Sequence, residues 1–145
     1  MNIFQCISSL APSWHVRTGA SESVLRGIES KVGLALPADY KEFMKWSDGG
    51  EGKIKSVYLS MWPSIQILEL NDSYKINSYL GGEVLAIGSD GGPICFLLDY
   101  RFSKEPRFSC VNFGDLDPEE IKEIAPSFEA AIELAILGKI VGDDL

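Results

Sequence analysis

Apolar residues recur every three or four positions at both ends of the chain, and in alternating or continuous short runs through its middle. The first spacing is that of a helix with one buried face and the second that of a strand. Ile3, Phe4, Ile7 and Leu10 have helical spacing. Ser21 then caps a predicted helix over Glu22–Val32, with Val24, Leu25, Ile28 and Val32 as its buried stripe and Gly33 just past its end. Pro37 opens the next helix, where its missing N–H is no loss. Asp39 complements the dipole of its first turn, Tyr40, Phe43, Met44 and Trp46 form its apolar face, and Gly49-Gly50 closes it. Gly49-Gly50-Glu51-Gly52 reads as a turn. Ser56–Ser60 is a predicted strand. Pro63–Ser73 follows as a helix with Ile65 and Leu68 inward, or as a second strand through Ile65–Leu68.

Glu83–Ile87, Ile94–Asp99 and Phe108–Phe113 are apolar and bounded by turn residues, so they predict an antiparallel meander. Asp90-Gly91 is a favoured pair for the tight turn between the first two. Asp117-Pro118-Glu119-Glu120 is a helix start, with Asp117 as cap and Glu120 reaching back. Ile121 and Ile124 would form its buried side and Pro126 its end. Ser127 caps a last helix with Phe128, Ala131, Ile132, Ala135 and Ile136 inward, ended by Gly138, and Val141–Leu145 is a loose acidic tail. The element order predicts an α+β domain over residues 1–145: a mostly antiparallel sheet of about four to six strands with helices packed on it.

With 145 residues and 46% hydrophobic composition, the chain can bury a core without metal or disulfides. Cys6, Cys95 and Cys110 read as buried, reduced thiols; a Cys95–Cys110 bridge between neighbouring strands is the alternative. No basic residue precedes Arg17, which argues against a signal peptide, and no apolar run approaches membrane-spanning length. The cytoplasm is the expected compartment. The net charge of −8 disfavours direct contact with nucleic acid or an anionic membrane and favours a basic protein partner. Residues 1–50 balance five basic against five acidic side chains, whereas residues 101–145 carry five against ten. The negative field therefore belongs to the second half of the chain.

Catalytic chemistry has little to stand on. His15 is the only histidine, and the cysteines lack metal-ligand spacing. GGEGK and GSDGG match no phosphate-loop pattern, and Ile54 stands where a hydroxyl would be required. Asp90 and Asp99 form a carboxylate pair only if the hairpin brings them together; otherwise Asp90 makes the turn and Asp99 ends the strand. No cofactor, metal or catalytic residue is expected.

The run Leu36-Pro37-Ala38-Asp39-Tyr40-Lys41-Glu42-Phe43 with Asp48-Gly49-Gly50 resembles the helix-and-turn motif of the SUKH superfamily. That superfamily includes the yeast cell-wall glucan-synthesis regulator family and many bacterial immunity proteins. Trp62-Pro63, Ala86–Gly92 with its Gly91-Gly92 turn, Ile94–Asp99, Val111 and Gly114 resemble the later landmarks in order, so the likeness covers about residues 20–135. Residues 1–19 form an N-terminal extension or helix, and Tyr100–Pro106 is individual to this chain. The resemblance implies an α+β fold and a non-catalytic protein-binding role. Its most direct form is an immunity protein that neutralises a basic toxin domain, such as a nuclease or deaminase. A regulatory or scaffold module is the alternative and a small hydrolase the remote one. Leu36, Pro37, Tyr40, Phe43, Gly49, Gly50, Trp62, Gly91 and Gly92 would then be structural. Exposed carboxylates at Asp48, Glu51, Asp90 and Asp99 would meet the partner, with Asp115, Asp117, Glu119, Glu120 and Glu123 as a second group. The protein is expected as a monomer, or as a homodimer through the apolar face of its first helix.

Overall fold

Six antiparallel strands follow one another across a single sheet in chain order, and helices cover it. The computed structural model describes residues 1–140 and 144–145; of the predicted tail, residues 141–143 lie outside this range. Helix α1 (Ile3–Leu10) opens at Asn2, whose side chain accepts the Gln5 N–H while Gln5 reaches back. Its buried residues are Ile3, Cys6 and Leu10, and Phe4 points to solvent instead. Helix α2 (Glu22–Val32) is capped by Ser21 and closed by Gly33 in the left-handed conformation. Leu25 and Ile28 are buried, and the expected inward Val24 is exposed.

Helix α3 (Ala38–Trp46) starts one residue after Pro37, which occupies the cap position. Tyr40, Phe43 and Met44 are wholly buried. Tyr40 and Phe43 each meet the Phe128 ring of α6 (Phe128–Ile136) at 5.3 Å between centroids, and Phe128 meets Phe108 of the sheet at 6.1 Å. Full burial of one such ring is worth roughly 2–3 kcal/mol. The motif helix is thus the core's centre. Asp39 fastens it further, because its carboxylate accepts the Glu129 N–H at 2.9 Å and so caps α6 across the structure.

Strand β1 (Gly50–Ile54) occupies the stretch that reads as a glycine turn. Gly50, Gly52 and Ile54 face inward, and Glu51 and Lys53 face out. The glycines are there because the N-terminal arm lies over the strand. A Cβ on Gly50 would stand 2.5 Å from Trp14 Nε1, and one on Gly52 would stand 2.4 Å from the Ser13 carbonyl. The His15 N–H donates to the Glu51 carbonyl at 2.8 Å, and Trp14 Nε1 donates to the Gly49 carbonyl at 3.2 Å. The extension therefore guards the outer edge of β1, where unpaired backbone groups would otherwise invite another strand.

Strand β2 (Val57–Met61) pairs fully with β1 but with β3 (Val84–Ser89) only at Ser60 and Met61. Helix α4 (Ser64–Ser73) takes over the rest of that edge. The Asn71 amide donates to the Ala86 carbonyl at 2.8 Å and accepts the Ala86 N–H at 2.9 Å, as a strand would. The helical reading of this segment holds, but its inner face is Ser64 and Ile67, while Ile65 is 81% exposed. Lys75, at φ 56°, ends α4, and a separate short helix α5 (Ile76–Leu80) follows.

Strands β3 and β4 (Ile94–Asp99) are buried at nearly every position, as strands covered on both faces are. In β4 and β5 (Arg107–Asn112) Cys95 opposes Val111 and Phe96 opposes Cys110, and all three cysteines are free and buried. The alternative disulfide is therefore not formed. The predicted helix after Asp117 is a single tight turn over Pro118–Glu120, followed by strand β6 (Lys122–Ala125) on the edge of β5. Asp117 does cap that turn, accepting the Glu119 N–H at 2.9 Å. Pro126 leaves too few residues for a stable helix, and pairing with the free edge of β5 satisfies the backbone instead. Among the described residues, no helix is long and apolar enough to cross a membrane.

Candidate partner-binding surface

The acidic side chains divide into those the fold consumes and those it leaves in water. Asp48, expected to be exposed, is half-buried beneath α4. Its carboxylate accepts the Ser64 N–H at 2.6 Å and the Ser64 hydroxyl at 2.9 Å. It caps a helix whose own cap residue, Pro63, offers no side-chain acceptor. Asp99, also expected at the surface, is 2% exposed. It receives Arg101 bidentately, Nε at 2.9 Å and Nη2 at 3.0 Å, as well as the Arg101 N–H. Glu29 is partly buried likewise and accepts the Leu36 N–H at 2.7 Å.

Glu51 and Asp90 stay nearer the solvent and are linked. The Tyr58 hydroxyl donates to the Glu51 carboxylate, and the Tyr58 ring lies against Gly91 in the β3–β4 turn, where an added Cβ would meet it at 3.0 Å. Asp90 is half-exposed; one carboxylate oxygen accepts the Gly92 and Ile94 N–H groups, which makes the turn. Asp90 and Asp99 do not approach each other. They lie at opposite ends of β4, because the register pairs Asp99 with Val84 and Arg107. The expected foursome is thus two surface groups near one turn and two that accept hydrogen bonds within the fold, Asp48 half-buried and Asp99 buried.

The second acidic group is better exposed. Asp115, Asp117, Glu119, Glu120 and Glu123 all face solvent beside β6, at the sheet edge opposite β1. Among the described residues only Glu123 of these five is in an ion pair, with Arg107 at 3.0 Å. Asp117 caps its own turn, and the other three are unpaired.

The family-motif residues sit mostly inside the fold. Leu36, Tyr40, Phe43 and Trp62 are buried, Gly49 and Gly50 have positive φ at the arm's docking point, and Gly91 has φ 82° in the hairpin turn beside Gly92. His15 is exposed beside Arg17 and Glu51 on a shallow depression of about 160 Å³. The thiols are buried; desolvation, helped by Glu129 and Glu133, pushes Cys6 up to about 11, and desolvation does the same for Cys110. Among the described residues, no group of three or more His, Cys, Asp or Glu side chains is placed to hold a metal ion. Sequence reasoning missed the exposed Phe102, whose setting depends on contacts with Arg101 and Arg107.

The sequence model of the SMI1 / KNR4 family (SUKH-1) matches residues 19–134, so it spans every element from α2 into α6 and leaves out the arm that guards β1. No curated relative matches the chain.

Proposed function

The chain belongs to the SMI1 / KNR4 family (SUKH-1), and on that premise we propose that it is a non-catalytic immunity protein of the cytoplasm that binds and silences a toxin with a basic cleft. The observation that carries this reading is the acidic edge beside β6. Asp115, Asp117, Glu119 and Glu120 are exposed within six positions, and none is in an ion pair among the described residues. Unpaired carboxylates held by short strands and a capped turn present a fixed negative field. Such a field speeds encounter with a basic surface and competes with a phosphate backbone for it. Glu51 and Asp90 extend the acidic character to the opposite side of the sheet.

The test is co-purification of the tagged chain with the product of the adjacent gene, followed by charge reversal. Glu119→Lys with Glu120→Lys should weaken the complex and flatten its dependence on salt, because fewer charges remain to be screened. Glu51→Lys should do so to a smaller extent. A complex of unchanged affinity and salt dependence in both variants would refute the electrostatic reading. The absence of any complex with the wild-type chain would refute the immunity reading itself.

A further inference from the structure

The loop Tyr100–Pro106 displays one large apolar side chain against two guanidiniums. Phe102 is 64% exposed, yet its ring is flanked by two charged side chains. The Arg101 guanidinium carbon lies 5.0 Å from its ring centroid and that of Arg107 lies 4.9 Å away. Both distances are within cation–π range. Each arginine is fixed in turn. Arg101 is held by both Asp99 oxygens and donates through Nη1 to the Pro118 carbonyl at 3.1 Å. Arg107 is held by Glu123 at 3.0 Å. The loop's other side is tied down by the Tyr100 hydroxyl, which donates to the Ala35 carbonyl at 2.9 Å.

A buried carboxylate such as Asp99 is a poor way to gain stability, since desolvating the pair offsets most of its attraction. What Asp99 does achieve is position: it locks the loop to the turn at Pro118 with an aromatic ring held outward. An ordered aromatic side chain loses little further freedom on binding, so most of its burial appears as affinity. We propose that Phe102 is the anchor of the partner interface, inserting into an apolar socket of a basic protein. The chemistry of the socket's rim follows from charge. The two guanidiniums beside the ring are already neutralised by Asp99 and Glu123. Among the described residues, Lys104 and Glu105 of the loop are unpaired and offset each other, and the remaining unpaired charges at the turn are those of Asp117, Glu119 and Glu120, so the complementary rim carries Lys or Arg. This inference rests on the immunity reading and names where its contact is made.

The test uses the full chain with the adjacent gene's product as probe. Phe102→Ala should weaken the complex at least about tenfold, chiefly through faster dissociation, while the melting temperature stays at the wild-type value. Phe102→Trp, which keeps an aromatic ring, should retain most of the affinity. Ile65→Ala removes a still more exposed apolar side chain from α4 and should leave binding unchanged. Hydrogen exchange in the complex should show new protection over residues 100–107. A wild-type complex that Phe102→Ala binds equally well, or protection confined to the β1 side, would overturn the anchor and leave the immunity reading standing. A wild-type chain that binds nothing would remove both.

Discussion

Replacing Asp48 with alanine separates a structural carboxylate from a binding one. The side chain accepts two hydrogen bonds from Ser64, a residue only 7% exposed: one from the first free N–H of α4 and one from the hydroxyl. Losing a cap costs about 1 kcal/mol, and leaving the hydroxyl without its charged partner costs about 1 kcal/mol more. The expected loss is therefore about 2 kcal/mol, which for a domain of this size lowers the melting temperature by roughly 6 °C. Asp48→Asn keeps an acceptor but removes the charge and the interaction with the helix dipole, so about half the loss should remain. Urea denaturation followed by circular dichroism measures both variants, and the slope of the transition should not change. Affinity for the partner, measured below the transition, should also be unchanged. Wild-type stability combined with weakened binding in Asp48→Ala would refute the assignment and return Asp48 to the interface.

Further substitutions and one titration probe the core, the arm and the buried thiols. Tyr40→Phe removes a wholly buried hydroxyl that has no hydrogen-bond partner among the described residues, and it should raise stability by about 1 kcal/mol in the same denaturation assay; a loss of similar size would mean that the hydroxyl is satisfied. Gly52→Ala drives a Cβ to 2.4 Å from the Ser13 carbonyl and should cost about 1–3 kcal/mol, whereas Gly27→Ala, on an exposed face of α2 with nothing within 4 Å, should add about 0.5–1 kcal/mol. Equal effects at the two glycines would show that the arm does not pack on β1. Burial raises Cys6 and Cys110 to about 11 from an ordinary value near 9.0, so folding favours the protonated thiol. That contribution is complete below pH 9 and is lost as pH rises from about 9 to 11. Unfolding free energy measured across this window should fall, and replacing both cysteines with alanine should lessen the fall, leaving the part due to Cys95, whose thiol burial also raises.

Much of the fold is legible in the sequence because local signals and burial agree. Tyr40, Phe43 and Met44 have helical spacing, follow a proline and prove to be the core. The strands β3 to β5 announce themselves as apolar runs between turns. Strand β1 is hidden because two of its three inward positions are glycines, which carry no hydrophobic signal. The repeat Gly50, Gly52, Ile54 was its one trace, a period of two written in the smallest residues. Strand β6 is hidden because strong helix-start chemistry at Asp117 precedes a segment whose fate is decided by the free edge of β5.

The candidate surface was half legible. Composition located the acidic half of the chain, and the group beside β6 remains in water. Asp48 and Asp99 misled because carboxylates next to turns read as exposed. The partner of Asp48, Ser64, is sixteen positions away, whereas Asp99 has its partner only two positions on, in Arg101, and is buried because it ends a strand covered on both faces. Phe102 gave no signal of its own, since a lone aromatic residue in a loop acquires meaning only once the two guanidiniums are seen on its faces.

The central claim, that this family member neutralises a toxin, is tested most directly by growth. Expression of the adjacent gene alone should arrest a susceptible host, and co-expression of this chain should restore growth. Phe102→Ala or the Glu119→Lys, Glu120→Lys pair should restore it less well at equal protein level. Growth that is unaffected by the neighbouring gene, or an arrest that persists at full expression of the wild-type chain, would contradict the account.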